Sequence, residues 1–188
     1  MTKIIVLLGL LLTLVGCTAP SKTIDGIATA EPKPASITIP RIQANSTLIP
    51  TGLNADGTLE VPNVYTPEQA SYYDRFPMPG DFIADEPGQT LSRPAVILGH
   101  VNGGGKPGVF ARLAELGQFG EFWIKMTDGS ERKFIIYKKL VVHKQHFPTD
   151  EIYGRVAEAE VRLITCGGKL DRTGHNYEDN IVIFAKKV

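Results

Sequence analysis

Two side chains in this sequence have the types needed for covalent chemistry as a pair. Cys166 stands in Arg162-Leu163-Ile164-Thr165-Cys166-Gly167-Gly168, where a short apolar, β-type run gives way to two glycines. His100 ends a second buried-type run, Pro94-Ala95-Val96-Ile97-Leu98-Gly99-His100, and opens a glycine-rich loop from Asn102 to Gly108. The thiolate is the nucleophilic form of cysteine, and a neighbouring imidazolium is the usual way to populate it near neutral pH. The same imidazole can serve as acid and base for the leaving and entering groups. The two residues are 66 positions apart (166 − 100), so they meet only if their strand ends share one face of a sheet. A thiol that transfers acyl groups also needs a donor for the developing oxyanion, and the loop after Cys166 offers Arg172. On residue type alone, a core thiol, a junction histidine with one local hydrogen bond and a solvent-facing arginine remain open readings.

The front of the chain bears on the thiol. Lys3 supplies a small positive region, Ile4 to Val15 is almost wholly apolar, and Gly16-Cys17 follows. The run suits a signal segment and falls short of the about 20 residues of a spanning helix. Leu14-Val15-Gly16-Cys17 resembles the lipobox of bacterial lipoproteins, in which the cysteine is lipidated and becomes the first residue of the mature chain. The expectation is a signal peptide over residues 1–17 with Cys17 as the lipidation site. The alternative is an uncleaved signal anchor. Either exports the domain and holds it at the outer face of the cell membrane. The chain has two cysteines, so a lipidated Cys17 leaves Cys166 without a partner. A lone thiol in an oxidising compartment is either deeply buried or functional.

Residues 18–36 are rich in Ala, Thr, Pro, Lys and Ser, and Pro20, Pro32 and Pro34 preclude a regular helix. They read as a flexible tether ahead of a single domain at 37–188. Composition is that of an ordinary globular protein, 43% hydrophobic and 21% charged with zero formal net charge. No basic run argues for a nucleic-acid partner. Gly103-Gly104-Gly105-Lys106 lacks the Ser or Thr that closes a phosphate loop. His143 and His146 have helix-face spacing but flank a β-type run, with no third ligand to complete a metal set. Asp171, Glu178 and Asp179 read as a solvated loop rather than a cation site.

The elements that must position Cys166 and His100 are mostly strands. Ser36 to Pro40 alternates, and Asn54-Ala55-Asp56-Gly57 is a turn with a short strand, Thr58 to Pro62, after it. Residues 66–94 carry few periodic signals. Val109 to Leu116 is the best short helix, with Phe110, Leu113 and Ala114 on one face. Gly120 to Met126 and Arg132 to Tyr137 flank Thr127-Asp128-Gly129-Ser130 as a hairpin. Phe122, Trp123 and Ile124 read as core. Pro148 to Tyr153 is a loop or single helical turn, and Val161 to Thr165 and Ile181 to Ala185 are the last strands. Many short strands with one or two short helices predict a mainly β, closed or nearly closed barrel.

Five stretches in order resemble the sortase family, most closely its class F: Ala95 to Val101, Pro107 to Leu113, Phe147 to Gly154, Leu163 to Gly168 and Tyr177 to Val182. The likeness covers roughly residues 37 to 188. It implies an eight-stranded β-barrel and a cysteine transpeptidase. Such an enzyme cuts a sorting signal near the C-terminus of an exported protein through a thioacyl intermediate and passes the acyl group to an amine. By motif match Cys166 is the nucleophile and His100 the general acid and base. The chemistry requires no metal or organic cofactor, although some relatives use calcium. Class F members often carry an arginine directly after the Tyr of Tyr-Xaa-Asp-Asn, and here that position is Glu178. Arg172 is the nearest substitute. An impaired sortase-fold lipoprotein that binds peptide or cell-wall partners is the alternative. A hydrolase that releases the peptide to water is a third reading.

Overall fold

The computed structural model describes residues 31–83, 91–174 and 176–188. The expected signal segment, Cys17 and most of the expected tether lie outside them. Strand β1 (Pro34–Ile39) leads through a 3₁₀ turn at Pro40–Ile42 to β2 (Ala44–Thr51). Next come β3 (Ala70–Tyr73), β4 (Ala95–Gly99) and a two-residue pair, β5 (Asn102–Gly103) with β6 (Lys106–Pro107). The chain continues through β7 (Glu121–Met126), β8 (Glu131–His143), α1 (Thr149–Tyr153), β9 (Glu160–Leu170) and β10 (Tyr177–Lys187). Eight strands close a barrel in the order β1-β2-β3-β4-β9-β10-β8-β7, as expected. Closure removes the open sheet edges that would otherwise invite pairing with other chains. Two joints are parallel, β2 with β3 and β4 with β9, and the rest are antiparallel.

Alternation along the strands sends one set of side chains inward. Ile37, Ile39, Ile97, Leu163, Ile181 and Ile183 join Phe122 and Phe134 there. The two phenyl rings are cross-strand partners and stack at 5.2 Å. A second apolar cluster lies on the outward faces of β4, β9 and β10, where Val96, Leu98, Ile164, Val182 and Phe184 pack with Tyr73 and with Ile152 of α1. The segment between β8 and β9 therefore roofs one side of the barrel.

Several local expectations change. Val109 to Leu116 makes only a 3₁₀ turn at Leu113–Glu115. Its buried residues are Phe110, Leu113 and Leu116, spaced by three, while Ala114 is exposed. A spacing of three suits a 3₁₀ turn, whose residues at i and i+3 eclipse. Thr58 to Pro62 forms no strand; a single bridge joins Leu59 to Leu53 across the expected turn. Strand β1 starts at Pro34, inside the stretch read as tether. Trp123 is not core: it faces outward opposite Lys133, whose Nζ lies 5.7 Å from its ring. Strand β3 hides in residues 66–94 because Ala70, Ser71, Tyr72 and Tyr73 are all buried and show no alternation.

At the start of β9 the outward face holds a buried ion pair. Arg162 Nη1 donates to Glu160 Oε2 at 2.7 Å, with the two side chains 2% and 8% exposed. The Tyr137 hydroxyl donates to the same oxygen at 2.6 Å, and the guanidinium lies 4.3 Å from the Phe184 ring. Burial, together with that hydrogen bond, raises the Tyr137 phenol above its ordinary range. Removing one member strands a charge in a dry site. Glu160→Ala is expected to lower unfolding stability by about 3–5 kcal/mol, read by urea denaturation. Exchanging both charges, as Glu160→Leu with Arg162→Met, is expected to restore most of it.

Candidate active site

Because β4 and β9 run parallel, their C-terminal ends lie at the same end of the barrel. Their register pairs Ala95 with Val161, Val96 with Arg162, Ile97 with Leu163 and Leu98 with Ile164. Every pair is offset by 66 (161 − 95 through 164 − 98), which is also the separation of His100 and Cys166. Carried two residues past Leu98 and Ile164, the register sets His100 beside Cys166. Neighbouring strands are about 4.8 Å apart, and alternation turns both side chains outward with Leu98 and Ile164. Both are half-buried. Cys166 is a free thiol.

The imidazole is oriented from behind. His100 Nε2 lies 2.6 Å from the carbonyl oxygen of Pro62. A carbonyl only accepts, so Nε2 carries the proton and Nδ1 is left to exchange one. The loop after His100 is tied across the site, since Asn102 Nδ2 donates to the Tyr177 hydroxyl at 2.8 Å. The His100 carbonyl accepts from Phe110 N–H at 3.0 Å, which fixes the backbone end of the same residue.

The two glycines after Cys166 have a structural reason. A Cβ on Gly167 would come 2.5 Å from Ile181 Cδ1 inside the barrel. Gly168 has φ +77°, and a Cβ there would come 2.1 Å from Asp179 Oδ2. The space beside the backbone is thus filled by the protein's own β10 residues.

Arg172 is exposed and sits in the turn between β9 and β10. That turn is organised by Asp171, whose Oδ1 accepts from Thr173 N and Oγ1 at 3.1 and 2.6 Å. The last cross-strand pair before it, Leu170 with Tyr177, is four residues beyond Cys166, about 13 Å along the strand. The structure therefore brings Cys166 and His100 together and leaves Arg172 at the hairpin tip. Glu178 is exposed, two residues before Asn180 on β10. Asn180 is the direct cross-strand partner of Cys166.

Beside this row the outward face carries a groove of about 510 Å³. Leu59, Tyr73, Phe76, Phe147 and Tyr153 supply its apolar walls, Lys144 stands on it, and Asn180 closes one side. Sequence reading missed these walls because Tyr73 and Phe76 lie in the aperiodic stretch. The pairing of Asn180 with Cys166 was hidden in an unknown register. His143 and His146 do approach each other, with ring centroids 5.8 Å apart. Among the described residues no three His, Cys, Asp or Glu side chains are placed to hold a metal ion.

A family model described as a sortase domain matches residues 37–188. The chain belongs to the sortase family. No curated protein sequence matches it, but solved sortase structures do. A lid mutant of sortase A from Corynebacterium diphtheriae superposes with a TM-score of 0.59 at 19% identity, covering 85% of this chain and 73% of that one. Sortase C1 of Streptococcus agalactiae, solved as a complex with MTSET, gives 0.57 at 16%, covering 81% and 66%. The Clostridium perfringens sortase D5 transpeptidase gives 0.56 at 18%, covering 83% and 79%. These likenesses are of fold and span several sortase classes.

In this sortase, burial pushes the Tyr153 phenol on the groove wall from its ordinary 10 up to about 12. The fold thus favours the neutral ring. The stability this contributes is complete below pH 10 and is lost as pH rises through 10 toward about 12. Denaturation measured across that window is expected to show the loss, and Tyr153→Phe is expected to remove its share of the slope.

Proposed function

We propose that this sortase is a cysteine transpeptidase of the class F type. It cleaves a C-terminal sorting signal of exported proteins and transfers the acyl group to an amine. The observation that carries the reading is the common offset of 66 in the β4–β9 register, which aligns His100 with Cys166 beside an apolar groove. The groove suits an extended peptide with apolar side chains. The Cys166 sulfur pair forms a bond to the scissile carbonyl carbon, and the carbonyl π pair moves onto oxygen. When that pair returns, the C–N bond breaks and the leaving nitrogen takes a proton from the His100 imidazolium. The incoming amine then attacks the thioester, gives its proton to His100 and expels the thiolate. Arg172 enters this scheme only through a rearrangement of the hairpin. A lipid on Cys17, with the residues between it and β1 as tether, would hold the domain at the outer face of the cell membrane.

A second reading is a peptide-binding module of the same fold with impaired catalysis. The exposed Glu178 carboxylate, two residues before the cross-strand partner of Cys166, favours it, because negative charge on that strand opposes an oxyanion.

Incubating the full chain with a library of sorting-signal peptides, with and without an added amine, separates these readings. Amine-dependent ligation, absent in Cys166→Ala, is the expected result. His100→Ala is expected to slow turnover by about 10²–10⁴-fold. A methanethiosulfonate is expected to label Cys166 in the folded protein. Labelling only after denaturation, or peptide binding without any cleavage, would overturn the transpeptidase.

A further inference from the structure

We propose that Asn180 is the side-chain donor to the oxyanion that forms when Cys166 is acylated. This rests on the acyl-transfer reading and assigns a role that neither the sequence motif nor the family match gave to this residue. Asn180 and Cys166 are register partners in the antiparallel β9–β10 ladder. Directly opposed residues project from the same face with Cβ atoms about 4.5–5.5 Å apart. Alternation along β10 puts Asn180 on the outward face with Val182 and Phe184, the face that carries Ile164 and Cys166. Its side chain borders the groove and is half-buried. Among the described residues nothing hydrogen-bonds its amide, unlike Asn102, which is committed to Tyr177.

The placement is that of a three-strand row. His100 at the end of β4, Cys166 on β9 and Asn180 on β10 stand side by side, with the thiol in the middle. A carbonyl carbon attacked from Cys166 then has the proton donor on one flank and the amide on the other. Arg172 lies beyond the Leu170–Tyr177 pair, about 13 Å along the ladder. An Asn amide is one of the ordinary side-chain donors of such sites, and losing one costs about 10²–10³-fold in turnover.

The step is balanced without a further reagent. The thiolate pair becomes the S–C bond, the π pair resides on oxygen while Asn180 Nδ2–H donates to it, and the same pair reforms the carbonyl as the leaving group departs. Alkylation of the thiol by iodoacetamide is a displacement at saturated carbon and forms no oxyanion. Acylation by p-nitrophenyl acetate forms one. The comparison therefore isolates the role of the donor from the activation of the thiol.

With the full chain, the neutral variants Asn180→Ala and Asn180→Leu are each expected to keep the wild-type rate of iodoacetamide alkylation and the wild-type melting temperature within a few degrees. Both are expected to lose about 10²-fold in the p-nitrophenolate burst. His100→Ala is expected to slow both reactions. Equal acylation by Asn180→Ala and wild type overturns the proposal, as does a loss confined to Arg172→Ala. So does a parallel loss of alkylation and acylation in the Asn180 variants, which would mark a structural role. A wild type that is alkylated but never acylated sinks the acyl-transfer reading itself, a result distinguishable from all of these.

Discussion

The parallel joint between β4 and β9 is the constraint on which the site depends. A strand side chain has a period of two, so a slip of one residue in this joint would send Cys166 into the barrel and leave His100 outside. The register is held from both faces. Ile97 and Leu163 are fully buried in the barrel, and Leu98 and Ile164 are buried in the outer cluster. Such a slip of β9 would carry Leu163 out of the barrel and Ile164 into it at once. The identity of β4 and β9 as near-continuous apolar runs is what parallel strands covered on both faces require. The same property that makes these runs buried makes their ends the places where polar groups emerge.

The second cluster explains why one barrel face carries the chemistry. The segment joining β8 to β9 folds α1 back over Val96, Leu98 and Phe184, and the Arg162–Glu160–Tyr137 network anchors the sheet beneath it. The roof stops short of Cys166, and the groove lies where it stops. The loops around His100 are closed from the other side by Pro62 and by the Asn102–Tyr177 bond. Thus the thiol and imidazole sit on rigid strands, while the surfaces that would grip a ligand come from connections between strands. That division suits a site in which the reacting atoms stay fixed and the walls vary.

Legibility in the sequence followed the strength of local pattern. Cys166 and His100 stood out as candidates because each ends a strongly apolar run beside glycine, and the β7–β8 hairpin was readable from Asp128-Gly129. What failed was whatever depended on a partner distant in sequence. Strand β3 has no alternation because both its faces are covered. The 3₁₀ turn at Leu113 looked helical because apolar spacings of three and of three to four overlap over eight residues. The need for two glycines after the thiol comes from Ile181 and Asp179 on β10, which leave no room for a Cβ there. Asn180 could not be singled out until the register set it opposite Cys166.

The charge around the thiol then becomes intelligible as a matter of position rather than of sequence distance. Glu178 lies on β10 just before Asn180, at the exposed end of the row, and Arg172 lies farther out at the turn. The carboxylate at that end has the wrong sign for an oxyanion donor. It opposes the oxyanion after attack. An arginine placed between them would be drawn toward the carboxylate as well as toward the oxyanion. An amide has no net charge to be drawn away, and its position on a strand opposite Cys166 requires no reorganisation at the moment of reaction. A neutral, strand-mounted donor is therefore the arrangement most compatible with a site whose β10 strand carries an exposed carboxylate, Glu178, two residues before Asn180.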